Sequence, residues 1–175
     1  MAEEKKEKWL NYLALSTIIF AVCATLSTFK GGGFSTQSLM NQSKASDQWA
    51  LYQAKSMKGY MFEMQSDNFE IQLINAQEKQ SQKIQKKIDA YQGKIKQYDK
   101  EKVEIKSTAE GFEKSRDLNK QHSNIFGIAV IFLQVSILLS SIAALIKRKY
   151  IWFVSVGIGL VGLLYFIDGF FLFFI

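Results

Sequence analysis

The chain has no proline, one cysteine and one histidine among its 175 residues. Without proline, no position forces a helix to break or kink. A single cysteine, Cys23, excludes a disulfide within the chain. With one histidine, and with its one cysteine inside an apolar stretch, the chain is not expected to form a His/Cys metal cluster or a Cys–His catalytic dyad. Because no paired carboxylates or nucleophile–base arrangement is recognisable either, we expect no catalytic residue, no metal, no other cofactor and no enzyme activity.

Glycine is also scarce, with eleven residues, and part of it is concentrated in the Gly31–Gly33 run after Lys30. This run is the strongest helix breaker in the chain. Residues 30–34 are therefore expected to end or bend the first helix. Ser35 or Thr36 would then cap a new one.

Three apolar stretches, Trp9–Phe29, Ile125–Ile146 and Ile151–Ile175, dominate the rest of the sequence. Each reaches the ~20 residues that a helix needs to cross a bilayer. Residues 1–8 would form a short charged tail and residues 147–150 a basic turn. The sequence thus predicts an all-α integral membrane protein with three transmembrane helices and a long polar insert between the first two.

The insert, residues 35–124, has apolar residues at helical spacing and no alternation typical of a strand. Its least apolar window, Asn75–Gln82, predicts a turn. After the turn, apolar residues follow a 4-3 spacing that Lys102 alone interrupts, which is typical of a coiled coil. We call this set the isoleucine stripe: Ile84, Ile88, Tyr91, Ile95, Tyr98, Ile105, Ala109 and Phe112.

The first half of the insert carries a second regular set, the methionine stripe, formed by Ala50, Ala54, Met57, Met61, Met64 and Ile71. Two stripes joined by a turn predict a long antiparallel coiled-coil hairpin. No breaker separates its second helix from Ile125–Ile146, so that helix is expected to continue into the second apolar stretch. One hairpin cannot bury both apolar faces well, which favours association between copies.

Small and polar residues in the last two apolar stretches suggest how their helices pack. Each of the two stretches has a face of small residues that would allow close helix approach. The face on the second stretch contains Ser136 and Ser140, and the face on the third contains Ser155, Gly159 and Gly162. The string Gly157-x-Gly159-x-x-Gly162 lacks the preceding strand that a dinucleotide site requires. Gln134 and Asp168 are polar within apolar runs, so an ion path is an alternative to helix pairing or an interfacial position. His122, at the membrane edge, is interpreted as having no special role.

The Lys147–Lys149 turn indicates the orientation, because short loops rich in Lys and Arg face the cytoplasm. The second stretch would then run inward and the third outward. Lys5, Lys6 and Lys8 agree with a cytoplasmic N-terminus. The hairpin would therefore be extracytoplasmic.

The string Asn41–Ser56, NQSKASDQWALYQAKS, is the most distinctive in the insert. It contains the contact patch Asp47, Trp49, Tyr52 and Lys55. Together with Trp9–Leu15, Tyr98–Lys102 and the closing pair of apolar stretches, it resembles the uncharacterised bacterial membrane proteins called domain of unknown function four-three-three-seven. The resemblance implies a bacterial inner-membrane protein with three spans and a helical insert. It assigns no activity and no residue role, although the string suggests a specific interhelical or intersubunit contact.

We therefore expect a non-enzymatic, self-assembling structural or scaffold protein of the membrane. Its hairpins would pair through the isoleucine stripe and the contact patch. One alternative is a small channel or ion-coupled component, and another is an accessory or sensor subunit that binds another membrane protein. Membrane lipid is an expected partner. Nucleic acid is not, because the net charge of +6 comes without a base-reading motif or aromatic platform.

Overall fold

The computed structural model describes residues 8–173, which are almost entirely helical. The helices are α1 (Lys8–Ile74), α2 (Glu78–Ile146) and α3 (Lys149–Phe171), and the described residues contain no strand. The all-α prediction is thus confirmed for this part of the chain. The expected charged tail, except Lys8, and the last two residues of the third apolar stretch lie outside the described residues.

The expected helix end at residues 30–34 is wrong, because α1 continues through all three glycines. A glycine inside a helix costs about 1 kcal/mol relative to alanine but does not forbid the helix. Gly31 is buried, and a Cβ built on it would lie 3.0 Å from the Cβ of Phe126. Thr36 Oγ1 bonds back to the carbonyl of Gly32 at 3.1 Å instead of capping a new helix. Close packing thus explains one glycine of the run.

Two short turns separate the three helices. The first occupies residues 75–77, at the start of the expected window, and the amide of Ser81 already donates to the carbonyl of Gln77 at 2.9 Å. At the second, Lys147 takes a left-handed backbone with φ 55°. The amide of Arg148 then donates to the carbonyl of Ala143 at 3.2 Å, which satisfies one of the last carbonyls of α2.

The chain divides into two compact units. The apolar unit contains residues 8–39 and 116–173, and the polar unit contains Met40–Ser115. Both α1 and α2 contribute to both units, and α3 belongs to the apolar unit. All three helices include a segment long and apolar enough to cross a membrane.

In the apolar unit the three helices pack through aromatic and small residues. One cluster joins Trp9, Leu13 and Ala143, and the Trp9 and Trp152 rings lie 6.3 Å apart. The indole N–H of Trp152 donates to Ser16 Oγ at 3.2 Å. A second cluster contains three buried residues from α1 and α2, namely Phe20, Ala24 and Leu133.

The glycines of α3 face this second cluster. A Cβ on Gly159 would overlap the ring of Phe20, and one on Gly162 would lie 2.9 Å from Leu133 Cγ and 3.0 Å from the Leu133 backbone nitrogen. Both glycines are buried. Their missing side chains therefore make room for α1 and α2 against α3.

In the polar unit, the segments of α1 and α2 run in opposite directions. Contacts join them in reverse chain order, as in the pairs Lys44 with Phe112, Lys55 with Glu101, and Phe69 with Tyr91. The isoleucine stripe faces α1: Ile84, Ile88 and Ala109 are buried, and the other members are half-buried. It is therefore occupied within the chain.

Replacing Gly162 by alanine should lower the stability of the apolar unit by roughly 1–3 kcal/mol, because the added methyl group meets the α2 backbone. Gly157→Ala is the matched control, since a Cβ at Gly157 meets no atom within 4 Å. Thermal unfolding of both variants in mild detergent would measure the difference. Equal midpoints would contradict the packing role of Gly162.

Candidate functional site

Three serines form a hydrogen-bonded cluster between α2 and α3. Ser136 Oγ donates to the Ser155 carbonyl at 2.8 Å, and Ser155 Oγ donates to the Ser136 carbonyl at 2.7 Å. Ser140 Oγ lies 2.7 Å from Ser155 Oγ. All three are fully buried. The structure thus brings the two small-residue faces together within one chain, where the hydroxyls satisfy one another without solvent.

His122 makes specific contacts that the sequence did not suggest. Its Nδ1 lies 2.8 Å from the carbonyl oxygen of Gly169 near the end of α3. Because a carbonyl oxygen only accepts, Nδ1 must carry the proton. The imidazole also stacks on Phe34, with ring centroids 4.5 Å apart. His122 therefore connects α1, α2 and α3, a role that no spacing along the sequence could have indicated.

Asp168 and Gln134, the residues of the alternative ion path, lie in different surroundings. Asp168 is 1% exposed, whereas Gln134 is exposed. Gly169, next to Asp168, packs on Phe126, and Gly162 packs on Leu133, next to Gln134. Phe126 and Leu133 are about two helical turns apart on α2, so Asp168 and Gln134 differ in height along the helices by roughly 10 Å. The structure does not bring the two polar groups together within the chain.

The contact patch connects the two helices of the polar unit. Trp49 Nε1 donates to Glu113 Oε1 at 2.9 Å, and Lys55 Nζ lies 2.6 Å from Glu101 Oε2. Tyr52 packs against Trp49 in an edge-to-face arrangement, with centroids 5.6 Å apart. Asp47, the fourth member, is exposed.

The Lys55–Glu101 pair is the strongest electrostatic contact of this patch. The hydrogen bond to Glu101 raises the pKa of Lys55. Hydrogen bonds from Lys55 and then from Gln97 lower the pKa of Glu101. The ammonium group also lies 5.1 Å from the Tyr98 ring centroid, at cation–π distance. The pair thus connects α1 to α2 at this level.

The face of α1 that packs on α2 is not its most apolar face. We call it the inner stripe, and its members follow a 4-3 spacing: Asn41, Ala45, Gln48, Tyr52, Lys55, Gly59, Phe62, Ser66 and Phe69. Phe62 contacts Tyr91 and Tyr98 with centroids 5.4 and 5.8 Å apart. Several members of the inner stripe are polar, so a search for apolar residues alone does not find it. Its 4-3 spacing could have indicated that this face packs on another helix.

The methionine stripe lies on the opposite side of α1 and is exposed. Met57, Met61 and Met64 are 67%, 61% and 65% exposed, and Ile71 is 63% exposed. The stripe is displaced from the inner stripe by two positions, about 200° around the helix. Within residues 8–173 nothing covers it. An exposed apolar face of this kind, interrupted only at Asn68 between Met64 and Ile71, indicates an interaction surface.

Nowhere in residues 8–173 do three His, Cys, Asp or Glu side chains lie close enough together to hold an ion. The arrangement instead offers two kinds of helix contact, namely close packing in the apolar unit and an uncovered stripe in the polar unit.

Residues 8–173 thus form three α-helices that are long and apolar enough to cross a membrane. The family described as Domain of unknown function (DUF4337) matches residues 9–172. The chain belongs to this family, which confirms the resemblance seen in the sequence. No curated protein and no solved structure matches the chain.

Replacing Ser155 by alanine should destabilise the apolar unit by roughly 1 kcal/mol, because Ser140 Oγ and the Ser136 carbonyl lose the Ser155 hydroxyl as a hydrogen-bond partner. Ser27→Ala is the matched control. Ser27 is also fully buried, but its hydroxyl has no hydrogen-bond partner among the described residues. Its removal should leave stability unchanged or raise it. Thermal unfolding that ranks the two variants in the reverse order would refute this account.

Replacing Glu101 by glutamine should weaken the acid dependence of the polar unit's stability. The pKa of Glu101 is lowered in the folded chain, so its stabilisation is present above the usual carboxyl pKa and is lost as pH falls through the folded-state value. The variant should thus be less stable at neutral pH and should lose less between roughly pH 5 and pH 3.

Helical circular dichroism during heating, repeated across this pH range, would measure both effects. Glu104→Gln is the control, because Glu104 is exposed and forms no ion pair within residues 8–173. The proposed role of the pair fails if the two variants have the same pH profile.

Proposed function

We propose that the chain is a non-enzymatic protein of the bacterial inner membrane that assembles with copies of itself through the polar unit. The observation that carries the proposal is the exposed methionine stripe on α1. It is a regular apolar face whose helix already uses the opposite face to bind α2. We therefore propose a structural or scaffold role, because the features described above are contacts between helices and an exposed surface for further helix contacts.

Membrane insertion rests on the three apolar helical segments. In a bilayer the helical backbone and the hydroxyls of Ser136, Ser140 and Ser155 satisfy their hydrogen bonds internally, as hydrocarbon requires. The Lys147–Lys149 turn would face the cytoplasm. The polar unit would then be an extracytoplasmic antiparallel hairpin.

A second copy is the occupant that best fits the stripe. Copies anchored in one membrane present their polar units in the same orientation, so a stripe can meet its own copy in parallel register. The 4-3 spacing of Ala54, Met57, Met61 and Met64 is the pattern that parallel helices need for this packing. Methionine side chains also adapt their shape to one another.

The residues beside the stripe are compatible with this parallel pairing. At the positions that face each other across a parallel pair, Lys58 would meet Gln53 of the other copy. Asp67 would similarly meet Gln72. No like charges oppose each other at these positions, so the pairing carries no electrostatic penalty of the kind that separates unmatched helices.

Cysteine cross-linking in native membranes tests the contact. In a Cys23→Ala background, Met61→Cys should form a disulfide-linked dimer on mild oxidation, because the same residue of two copies lies at the centre of the interface. Met57→Cys and Met64→Cys should do the same. In mild detergent, Met61→Lys combined with Met64→Lys should lower the mass of the assembly measured by light scattering.

Val103 provides the control, since it is 71% exposed but belongs to α2. Val103→Cys should not cross-link and Val103→Lys should not change the mass. Equal cross-linking at Val103 and Met61 would contradict self-assembly through the stripe. A Met61→Cys cross-link to a different protein would also contradict it and would assign the surface to another membrane protein.

A further inference from the structure

A groove of about 660 Å³ opens on α1 in the apolar unit, where the first apolar stretch ends. Gly32 and Gly33 line it, and a Cβ built on either glycine meets no atom within 4 Å. The groove therefore exists because these two positions have no side chain. This gives Gly32 and Gly33 a role that packing within the chain does not, since only Gly31 lies against another helix.

The lining of the groove combines aromatic and polar side chains. Phe29, which is 76% exposed, precedes Lys30 in the lining. Gln37 and Asn119 add amide groups. The lining contains no carboxylate, and Lys30 forms no ion pair with any residue in the described part of the chain. A lysine without a counter-ion next to an exposed phenylalanine favours a ligand that carries both a negative charge and an apolar chain.

The position of the groove along the chain agrees with this chemistry. Phe29 is the last residue of the apolar stretch, and Lys30 is the first charged residue after it. If the stretch spans a bilayer, the groove lies at the depth where acyl chains meet phosphate groups, on the extracytoplasmic face in the orientation proposed above. A lysine ammonium there attracts an anionic phosphate.

We propose that this groove binds one anionic phospholipid with a hydroxyl-bearing headgroup, a proposal that rests on the membrane insertion proposed above. The phosphate pairs with Lys30, an acyl chain runs along Phe29 toward the apolar stretch, and the headgroup lies over the two glycines. The amide of Gln37 offers donors and an acceptor to headgroup hydroxyls. A zwitterionic lipid fits less well, because its ammonium group would meet Lys30 and no carboxylate.

Native mass spectrometry of the full chain in mild detergent, titrated with phosphatidylglycerol or phosphatidylcholine, tests the site. The wild-type chain should retain one phosphatidylglycerol in preference to phosphatidylcholine. Lys30→Gln should weaken phosphatidylglycerol binding about fivefold, the loss expected for one interfacial lysine. Gly32→Leu should weaken it by filling the groove without changing charge.

Two matched variants control for charge and helix propensity. Lys120→Gln removes an exposed lysine outside the groove lining, and Gly127→Leu adds a side chain at an exposed glycine whose Cβ would meet no atom within 4 Å. Both should bind like the wild type. If Lys30→Gln and Gly32→Leu bind as tightly as these controls, the lipid is only annular and the proposal is overturned. Competition by glycerol phosphate alone would likewise overturn it in favour of a free-anion site.

Membrane insertion is measured separately, by resistance of each variant to alkaline carbonate extraction. A chain that stays in the membrane but shows no groove-dependent lipid overturns this inference and leaves insertion standing. A chain that is extracted overturns insertion, and the lipid site with it.

Discussion

The close approach of α3 to α2 and α1 is the constraint on which the apolar unit depends. It requires residues with little or no side chain at Ser155, Gly159 and Gly162, where larger groups would separate the helices. The same closeness brings Ser155 within hydrogen-bond distance of Ser136 and Ser140. The same face of small residues therefore allows the helices to pack closely and provides hydrogen-bond partners for the buried hydroxyl groups. The aromatic contacts of Trp152 and Phe126 occupy the space on either side of them.

A different balance governs the polar unit, where α1 has two regular faces and α2 covers one of them. The inner stripe supplies a buried alanine, a glycine and two phenylalanines that fit the isoleucine stripe, and its Lys55 pairs with Glu101. The methionine stripe is more uniformly apolar but stays exposed. Shape and specific polar contacts, rather than apolar content alone, thus determine which face pairs within the chain.

Much of the fold was predictable because helical periodicity and apolar length are local properties. The helical character, the turn beginning at Asn75 and the continuity of α2 into its apolar stretch all follow from such patterns. The helix end predicted at the glycine run was wrong because it rested on the low helix propensity of glycine. In the structure, Gly31 packs against Phe126 within a continuous helix. The contacts of His122 with Phe34 and Gly169 were invisible for a related reason, since they join residues distant in the chain.

By itself the sequence determined three apolar helical segments, a polar insert with two stripes, and membership of a family, because each is recorded in residue order and spacing. Only the tertiary structure decided which stripe is covered and where a groove opens. It also decided that the serines of α2 and α3 meet within one chain. When a helix has two regularly spaced faces, its sequence alone does not show which face packs against the partner helix. That choice depends on how side chains from distant segments fit together, which spacing along one helix cannot encode.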